Sequence, residues 1–188
     1  MKTGGRWGAS PVAALCMAAT ACAECGVDRS AIDPKDAIRT LLSLPARYTS
    51  VIGQVVRRGD GLATRRPAED VWSVTEYAAH TADALWFICE RATLILNEDD
   101  PVLPRFGDPN SRDYSAVEPE SAITLFMDAA LKLAETFESA DEETWQRAGH
   151  NELGTATLLD TATYGVHEGI HHLHDIDRIA AQLLNGRG

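Results

Sequence analysis

The sequence predicts an all-α protein, a four-helix bundle, and three observations favour this fold class. Four segments space their apolar residues as amphipathic helices do, and several of them start at capping residues or prolines. From Asp33 onward, no run of alternating β-branched residues indicates a strand. Helices of roughly 20 to 30 residues bury such apolar faces by packing side by side in a bundle.

The expected helix starts rest on local signals. Asp33-Pro34 pairs an N-cap with a proline at the first helical position, and a bend is expected at Pro45. Ser73-Val-Thr-Glu76 is a capping box. The 99–117 stretch, rich in Pro, Gly, Asp and Asn, is expected to be a loop. The four expected ranges are 33–58, 73–97, 119–139 and from just after Gly154-Thr155 to about 185.

Length and charge bound the function. The chain has 188 residues, which suits one domain, predicted over 33–188 after a flexible leader over 1–32. Its net charge is 17 − 28 = −11, and residues 67–188 carry seven basic against 23 acidic residues, which argues against a nucleic-acid partner. No apolar run reaches the roughly 18 residues of a membrane span, so we expect no membrane partner and a cytoplasmic location.

The leader contains two features with open interpretations. Residues 1–20 resemble a weak secretory signal, and we favour an extension that does not contribute to the fold. Cys22 and Cys25, followed by Gly26, have the shape of half a zinc knuckle, but the remaining cysteines, Cys16 and Cys89, supply no second pair. We therefore favour two reduced thiols over a metal site here.

Histidines are concentrated in the last predicted helix, where four of the six fall between His167 and His174. His167-Glu168-Gly-Ile-His171 matches the H-E-x-x-H string of zinc peptidases. On a helical wheel, however, His167 and His171 point away from the apolar arc, whereas Glu168 and His172 lie nearer its edge at i, i+4 spacing. Glu168 and His172 are therefore the preferred inward pair.

A third ligand must come from another helix. His80 lies at the border of the apolar arc of the second helix, whereas His150 lies in a polar stretch and is expected to be exposed. Two histidines and one carboxylate suit Zn²⁺, Ni²⁺ or Fe²⁺ and leave positions for water or substrate. Asp83 and Asp175, each one turn beyond a histidine, are candidates to orient the imidazoles.

The alternative without a metal stays open, because Glu168 and His172 could be a surface ion pair. Cys89 lies on the opposite side of its helix from His80 and is expected in the core.

At these residues the chain resembles the DinB / YfiT-like superfamily of metal-binding four-helix bundles, which includes mycothiol-dependent maleylpyruvate isomerase and bacillithiol transferases. The resemblance covers about residues 36–184. The pieces that carry it are Trp72-Ser73-Val74 with Glu76, His80 and Asp83, the lead-in Gly154-Thr155, and His172-Leu-His-Asp-Ile176.

The resemblance implies that His80 and His172 occupy the first and third ligand positions of the family. Four residues before the third ligand position many members have His, whereas this sequence has Glu168, and the isomerase branch resembles it in using Glu there. A slide of one residue would make His167 and His171 the pair instead. One divalent ion, Zn²⁺ or Ni²⁺, is expected.

The first functional hypothesis is a transferase or isomerase that activates a low-molecular-weight thiol such as mycothiol at the metal, acting on a small-molecule substrate. Alternatives are a metal-dependent hydrolase and a non-catalytic metal-binding bundle that acts as a homodimer. Candidate contacts for an anionic substrate are Arg65, Arg66, Tyr164 and His171.

Overall fold

Four long helices account for most of the computed structural model, which describes residues 21–107 and 112–186. Residues 1–20, including the signal-like stretch and Cys16, lie outside the described residues. The helices are α1 (Pro34–Arg58), α2 (Val74–Asn97), α3 (Pro119–Glu138) and α4 (Leu158–Asn185). The all-α four-helix fold predicted from the sequence is confirmed, and α1 runs through Pro45 as one helix.

The first two helices do not pack side by side. α1 and α2 each pack against both α3 and α4, but α1 touches α2 only slightly. α1 and α2 therefore lie across the bundle from one another, whereas the consecutive helices α2 and α3 are direct neighbours. This order makes α2 and α4, which carry the predicted ligands, direct neighbours.

A short antiparallel hairpin precedes α4, and the sequence-based prediction of no strands is wrong there. β1 (Ala148–Asn151) pairs with β2 (Gly154–Thr157), so His150 lies in a strand rather than in a loop, with its Nδ1 3.0 Å from Asp100 Oδ1. The segments are too short and too poor in apolar residues for alternation to reveal them. Thr157 and Asp160 then cap α4 reciprocally.

The core fixes how closely α1 and α4 approach. The Tyr48 ring stacks on Phe126 with centroids 3.6 Å apart, and the Tyr48 hydroxyl donates a hydrogen bond to the Gly169 carbonyl oxygen at 2.9 Å. Gly169 leaves room for the Leu44 side chain of α1, since a Cβ at position 169 would lie 2.4 Å from Leu44 Cδ1 and would force that methyl group to move. Cys89 lies in this apolar interior, as expected.

The start of α2 is held by a buried charged group. The Glu76 carboxylate accepts hydrogen bonds from the Ser73 N–H at 2.9 Å and from the Arg66 guanidinium at 2.5–3.0 Å. Burial raises the pKa of Glu76, but Arg66 and Ser73 outweigh it and lower the pKa below its ordinary value. The predicted capping box is confirmed, with Arg66 as an additional partner.

Residues 21–32 lie against the bundle. A turn over 22–27 is followed by a 3₁₀ helix (Arg29–Ala31) that contacts α4, and Cys22 is buried. The proposed boundary at residue 32 stays a prediction. So does the predicted homodimer, since the structure holds a single chain. In the described ranges, none of the helices combines the length and apolarity that crossing a membrane requires.

Replacing Glu76 by Gln is expected to lower the free energy of unfolding by about 1–3 kcal/mol, because the buried side chain then presents an amide N–H₂ in place of one of the two oxygens that accept from Arg66 and Ser73. Urea unfolding measures this change. Glu90, exposed on the same helix, is the control, and Glu90→Gln should change stability by less than about 0.5 kcal/mol. Equal effects of the two substitutions would contradict the assigned role of Glu76.

Candidate metal centre

The structure brings the three predicted ligands together. His80 of α2 and Glu168 and His172 of α4 each offer a ligand atom, and these atoms lie within 4.8 Å of one another. We call these three residues the His80 triad. His80 is 4% exposed and the other two are partly buried. The geometric convergence required for one shared cation is therefore present, and the ligation itself stays a proposal.

The two carboxylates expected to orient the imidazoles behave differently. Asp175 Oδ2 lies 3.3 Å from His172 Nδ1, so it can fix the ring while Nε2 faces Glu168 Oε2 at 3.6 Å. Asp83 instead accepts hydrogen bonds from the Tyr114 hydroxyl at 2.8 Å and Arg112 at 2.6 Å. The prediction that Asp83 orients His80 is wrong, because Asp83 is engaged by the loop that precedes α3.

An aromatic wall surrounds the His80 triad. Trp72 and Tyr114 lie 4.9 and 5.9 Å from the His80 ring, Phe106 lies at 6.2 Å, and Tyr77 lies 5.5 Å from the His172 ring, all between centroids. Phe106 and Tyr114 come from the 99–117 stretch, for which the sequence predicts a loop and no functional residue. The presence of two aromatic residues in a polar loop was the available sign that the loop contacts a site. Their positions could not be predicted, because a loop has no periodicity from which side-chain directions follow.

The charges in the His80 triad are strongly coupled. Burial lowers the pKa of His80 to about 4, with the neighbouring His172 adding to the effect. Burial would also lower the pKa of His172, but the Asp175 and Glu168 carboxylates raise it to about 9. Burial opposes ionisation of Glu168, yet His172 brings its pKa down to about 2. Glu168 and His172 thus form a buried ion pair beside a neutral His80.

The donor set fits a divalent cation. His80 Nδ1 is buried and has no hydrogen-bond partner among the described residues. A buried imidazole nitrogen without a partner is costly unless something else binds it. A neutral imidazole is also the form that a metal requires. Two imidazoles and one carboxylate leave at least one coordination position of a typical zinc ion open.

His167 and His171 do not point to solvent, so the helical-wheel prediction for them is wrong. His167 is 5% exposed, and both histidines lie with Cys22 and Cys25 of the leader in one group of possible ligands. A helical wheel separates the face of α4 that packs in the bundle from the face that does not. It cannot show that residues 21–32 pack on that second face. The pair His167 and His171 and the pair Glu168 and His172 of α4 therefore belong to two different clusters.

The residues predicted to contact an anionic substrate do not lie together. Arg66 is bound to Glu76, and Arg65 is exposed and donates to the Asp60 carbonyl oxygen. Tyr164 lines a cleft of about 620 Å³ together with Arg29 and Arg91. The buried Nε of Arg91 has no hydrogen-bond partner among the described residues. Burial raises the pKa of Tyr164, and Glu168, one turn along α4, raises it further. Tyr164 thus connects this cleft with the His80 triad.

Comparisons with known proteins agree with this architecture. A family model described as the DinB superfamily matches residues 46–176. The solved structure of YfiT from Bacillus subtilis superposes with a TM-score of 0.70 at 17% identity, covering 81% of this chain and 87% of that one. YfiT is described as a probable metal-dependent hydrolase with an unusual four-helix bundle topology. No curated protein sequence matches the chain.

The metal-free protein is expected to lose stability as the pH rises from 6.5 to about 9. The pKa of His172 is raised in the folded state from 6.5 to about 9, so its contribution is complete below pH 6.5 and is lost as His172 deprotonates. The loss should be on the order of 2 kcal/mol. It is measured by urea unfolding of chelator-treated protein across this range.

The comparison that isolates His172 uses two variants of α4. His172→Gln should flatten the pH dependence relative to wild type, while His174→Gln, at an exposed position two residues away, should leave it intact. The same slope in all three proteins would show that His172 is not held in its charged form.

Proposed function

Because the chain belongs to the DinB superfamily, we propose that it is a metal-dependent enzyme whose His80 triad binds one divalent cation, Zn²⁺ or Ni²⁺. The observation that carries the proposal is the convergence of three ligand atoms from two neighbouring helices within 4.8 Å. The unpartnered Nδ1 of the buried His80 supports it independently.

We further propose that the substrate of this centre is a low-molecular-weight thiol, such as mycothiol, used in a transfer or isomerisation reaction. A bound divalent cation lowers the pKa of a coordinated thiol, so that a thiolate nucleophile exists at neutral pH. His80, Glu168 and His172 would hold the cation. Asp175 would keep His172 in the required orientation, and the aromatic wall would exclude water from the second substrate.

The carboxylates next to the His80 triad already have partners. Asp83 is occupied by Arg112 and Tyr114, and Asp175 by His172 and Arg178. Neither is free to take a proton from an attacking water molecule, so hydrolysis here would depend on the cation itself to ionise the water, as transfer would depend on it to ionise the thiol.

Hydrolysis is the second candidate function, and the resemblance to YfiT favours it. That protein has the same fold and is described as a probable metal-dependent hydrolase. The same three residues would hold the cation in this alternative. Tyr164, beside Glu168, would be the residue placed to contact the polarised substrate.

The surroundings support a small anionic substrate. The cleft beside Tyr164 is lined by Arg29 and Arg91, and guanidinium groups are the side chains best suited to carboxylates and phosphates. We propose that the substrate's anionic group binds in this cleft. We also propose a cytoplasmic location, where thiols are kept reduced.

Replacing His80 by Ala is expected to remove one metal ion per chain, measured by elemental analysis of protein loaded with zinc and then desalted. His150→Ala is the control, since His150 lies in β1 and pairs with Asp100, and it should bind as much metal as wild type. Equal metal content in wild type and His80→Ala would exclude a cation at the His80 triad.

Thiol dependence separates the two candidate activities. Metal-loaded protein is incubated with a haloarene electrophile, with and without a low-molecular-weight thiol, and product is quantified. We expect conjugate only when thiol is present, and its loss by roughly 100-fold or more in His80→Ala, as expected when an activated nucleophile is lost. Turnover that is unchanged without thiol would favour hydrolysis instead.

A further inference from the structure

Four side chains outside the His80 triad form a second group with metal-ligand chemistry, which we call the Cys–His cluster. Its members are Cys22 and Cys25 of the leader and His167 and His171 of α4. We propose that this cluster is a structural zinc site that fastens residues 21–32 to α4.

The spacing of the four residues is that of a Cys₂His₂ zinc site. Such sites combine two cysteines separated by two to four residues with two histidines separated by three to five. Cys22 and Cys25 are separated by two residues, and His167 and His171 by three. The two halves are far apart in the sequence, and folding brings one ligand atom of each residue within 4.8 Å of the others.

Cys22 and His171 are hydrogen-bonded at a distance that also fits two ligands of tetrahedral zinc. Cys22 Sγ lies 3.6 Å from His171 Nδ1. Zinc bonds of about 2.3 Å to sulfur and about 2.1 Å to nitrogen, at the tetrahedral angle, place the two ligand atoms about 3.6 Å apart. The other nitrogen of the ring, Nε2, lies 3.5 Å from Glu24 Oε2. A carboxylate on the second nitrogen is the usual arrangement for a metal-binding histidine.

His167 provides the independent sign that something is bound here. Its side chain is 6% exposed, and neither Nδ1 nor Nε2 has a hydrogen-bond partner among the described residues, since Glu168 Oε1 lies 3.8 Å from Nδ1, beyond hydrogen-bond distance. A buried imidazole without partners costs on the order of 1–3 kcal/mol. Coordination of one nitrogen to a cation would remove much of that cost.

The leader folds in the way that a pair of zinc-binding cysteines requires. Cys22 N–H donates to the Val27 carbonyl oxygen, and Gly26 N–H donates to the Cys22 carbonyl oxygen, which closes a tight turn around both sulfurs. Gly26 has φ +74°, a conformation that favours glycine. Burial raises the pKa of the Cys22 thiol, but the backbone of Cys25 and Glu24 outweighs it and lowers the pKa to about 7.

The composition of the cluster indicates structure rather than catalysis. Two thiolates and two neutral imidazoles complete the four-coordinate shell of zinc and cancel its double charge, so no position is left for a substrate. The His80 triad has three ligands and retains an open position. Asp175 lies between the two sites, 3.8 Å from His171 Nε2 and 3.3 Å from His172 Nδ1.

Cobalt substitution tests the proposal in the reduced full-length chain. Tetrahedral Co²⁺ bound by cysteine shows sulfur-to-cobalt charge-transfer absorption in the near ultraviolet, which ligands of the His80 triad cannot produce. We expect this band in wild type and in His80→Ala. In His80→Ala, which lacks the His80 triad, the band should reach its full intensity at one Co²⁺ per chain. We expect its loss in the double variant Cys22→Ser/Cys25→Ser and its displacement in His167→Gln.

Controls cover the other cysteines and the fold. The double variant Cys16→Ser/Cys89→Ser should keep the band, and far-ultraviolet circular dichroism checks that each variant is helical. X-ray absorption of zinc-loaded His80→Ala, which needs no change in the cluster, should show sulfur at about 2.3 Å and nitrogen at about 2.0 Å. A first shell without sulfur, or a band unchanged in His167→Gln, would overturn the proposal.

The fastening role has its own readout. Zinc should slow tryptic cleavage after Arg29 in His80→Ala, because the metal holds the leader against α4. In the same background, Cys25→Ser should make that cleavage insensitive to zinc. Cleavage that zinc does not slow in His80→Ala would overturn the fastening role, whatever the spectra show.

Discussion

The rotation of α4 about its own axis is the constraint on which both clusters depend. Positions 167 and 171 differ from positions 168 and 172 by one residue, or about 100° around the helix. A rotation of that size would exchange the two pairs. Gly169 sets the rotation, because Leu44 packs where a Cβ would stand and the Tyr48 hydroxyl binds its carbonyl oxygen. A contact in the core therefore decides which side chains face which site.

The opposite side of the His80 triad is fixed by the start of α2. The reciprocal bonds of Ser73 and Glu76, with Arg66 on the same carboxylate, define where the helix begins. His80 lies about two turns further on, and Trp72, which contacts its ring, immediately precedes the cap. One buried polar group thus positions both a candidate ligand and a wall of the site.

The parts of the fold and of the site that depend on local sequence signals can be predicted from the sequence. Helix starts at Asp33 and Ser73 follow from capping chemistry, and the i, i+4 spacing of Glu168 and His172 with His80 opposite follows from helical periodicity. The burial of His167 could not be predicted, because the leader that covers it lies over 130 residues earlier in the chain. Phe106 depends on a loop path that no periodicity describes.

With a divalent cation bound to each, the two proposed sites would differ in net charge, and this difference would separate their roles. A divalent cation bound by two neutral imidazoles and one carboxylate keeps a formal charge of 2 − 1 = +1, so it attracts an anionic nucleophile such as a thiolate. The same cation bound by Cys22, Cys25 and two imidazoles has 2 − 2 = 0 and attracts nothing further. Because both sites use histidines of one helix, the zinc that holds the leader would also stiffen the turn that carries Glu168 and His172. Through α4, zinc bound at the four-coordinate Cys–His cluster would thus influence the His80 triad, where a coordination position would stay open for substrate.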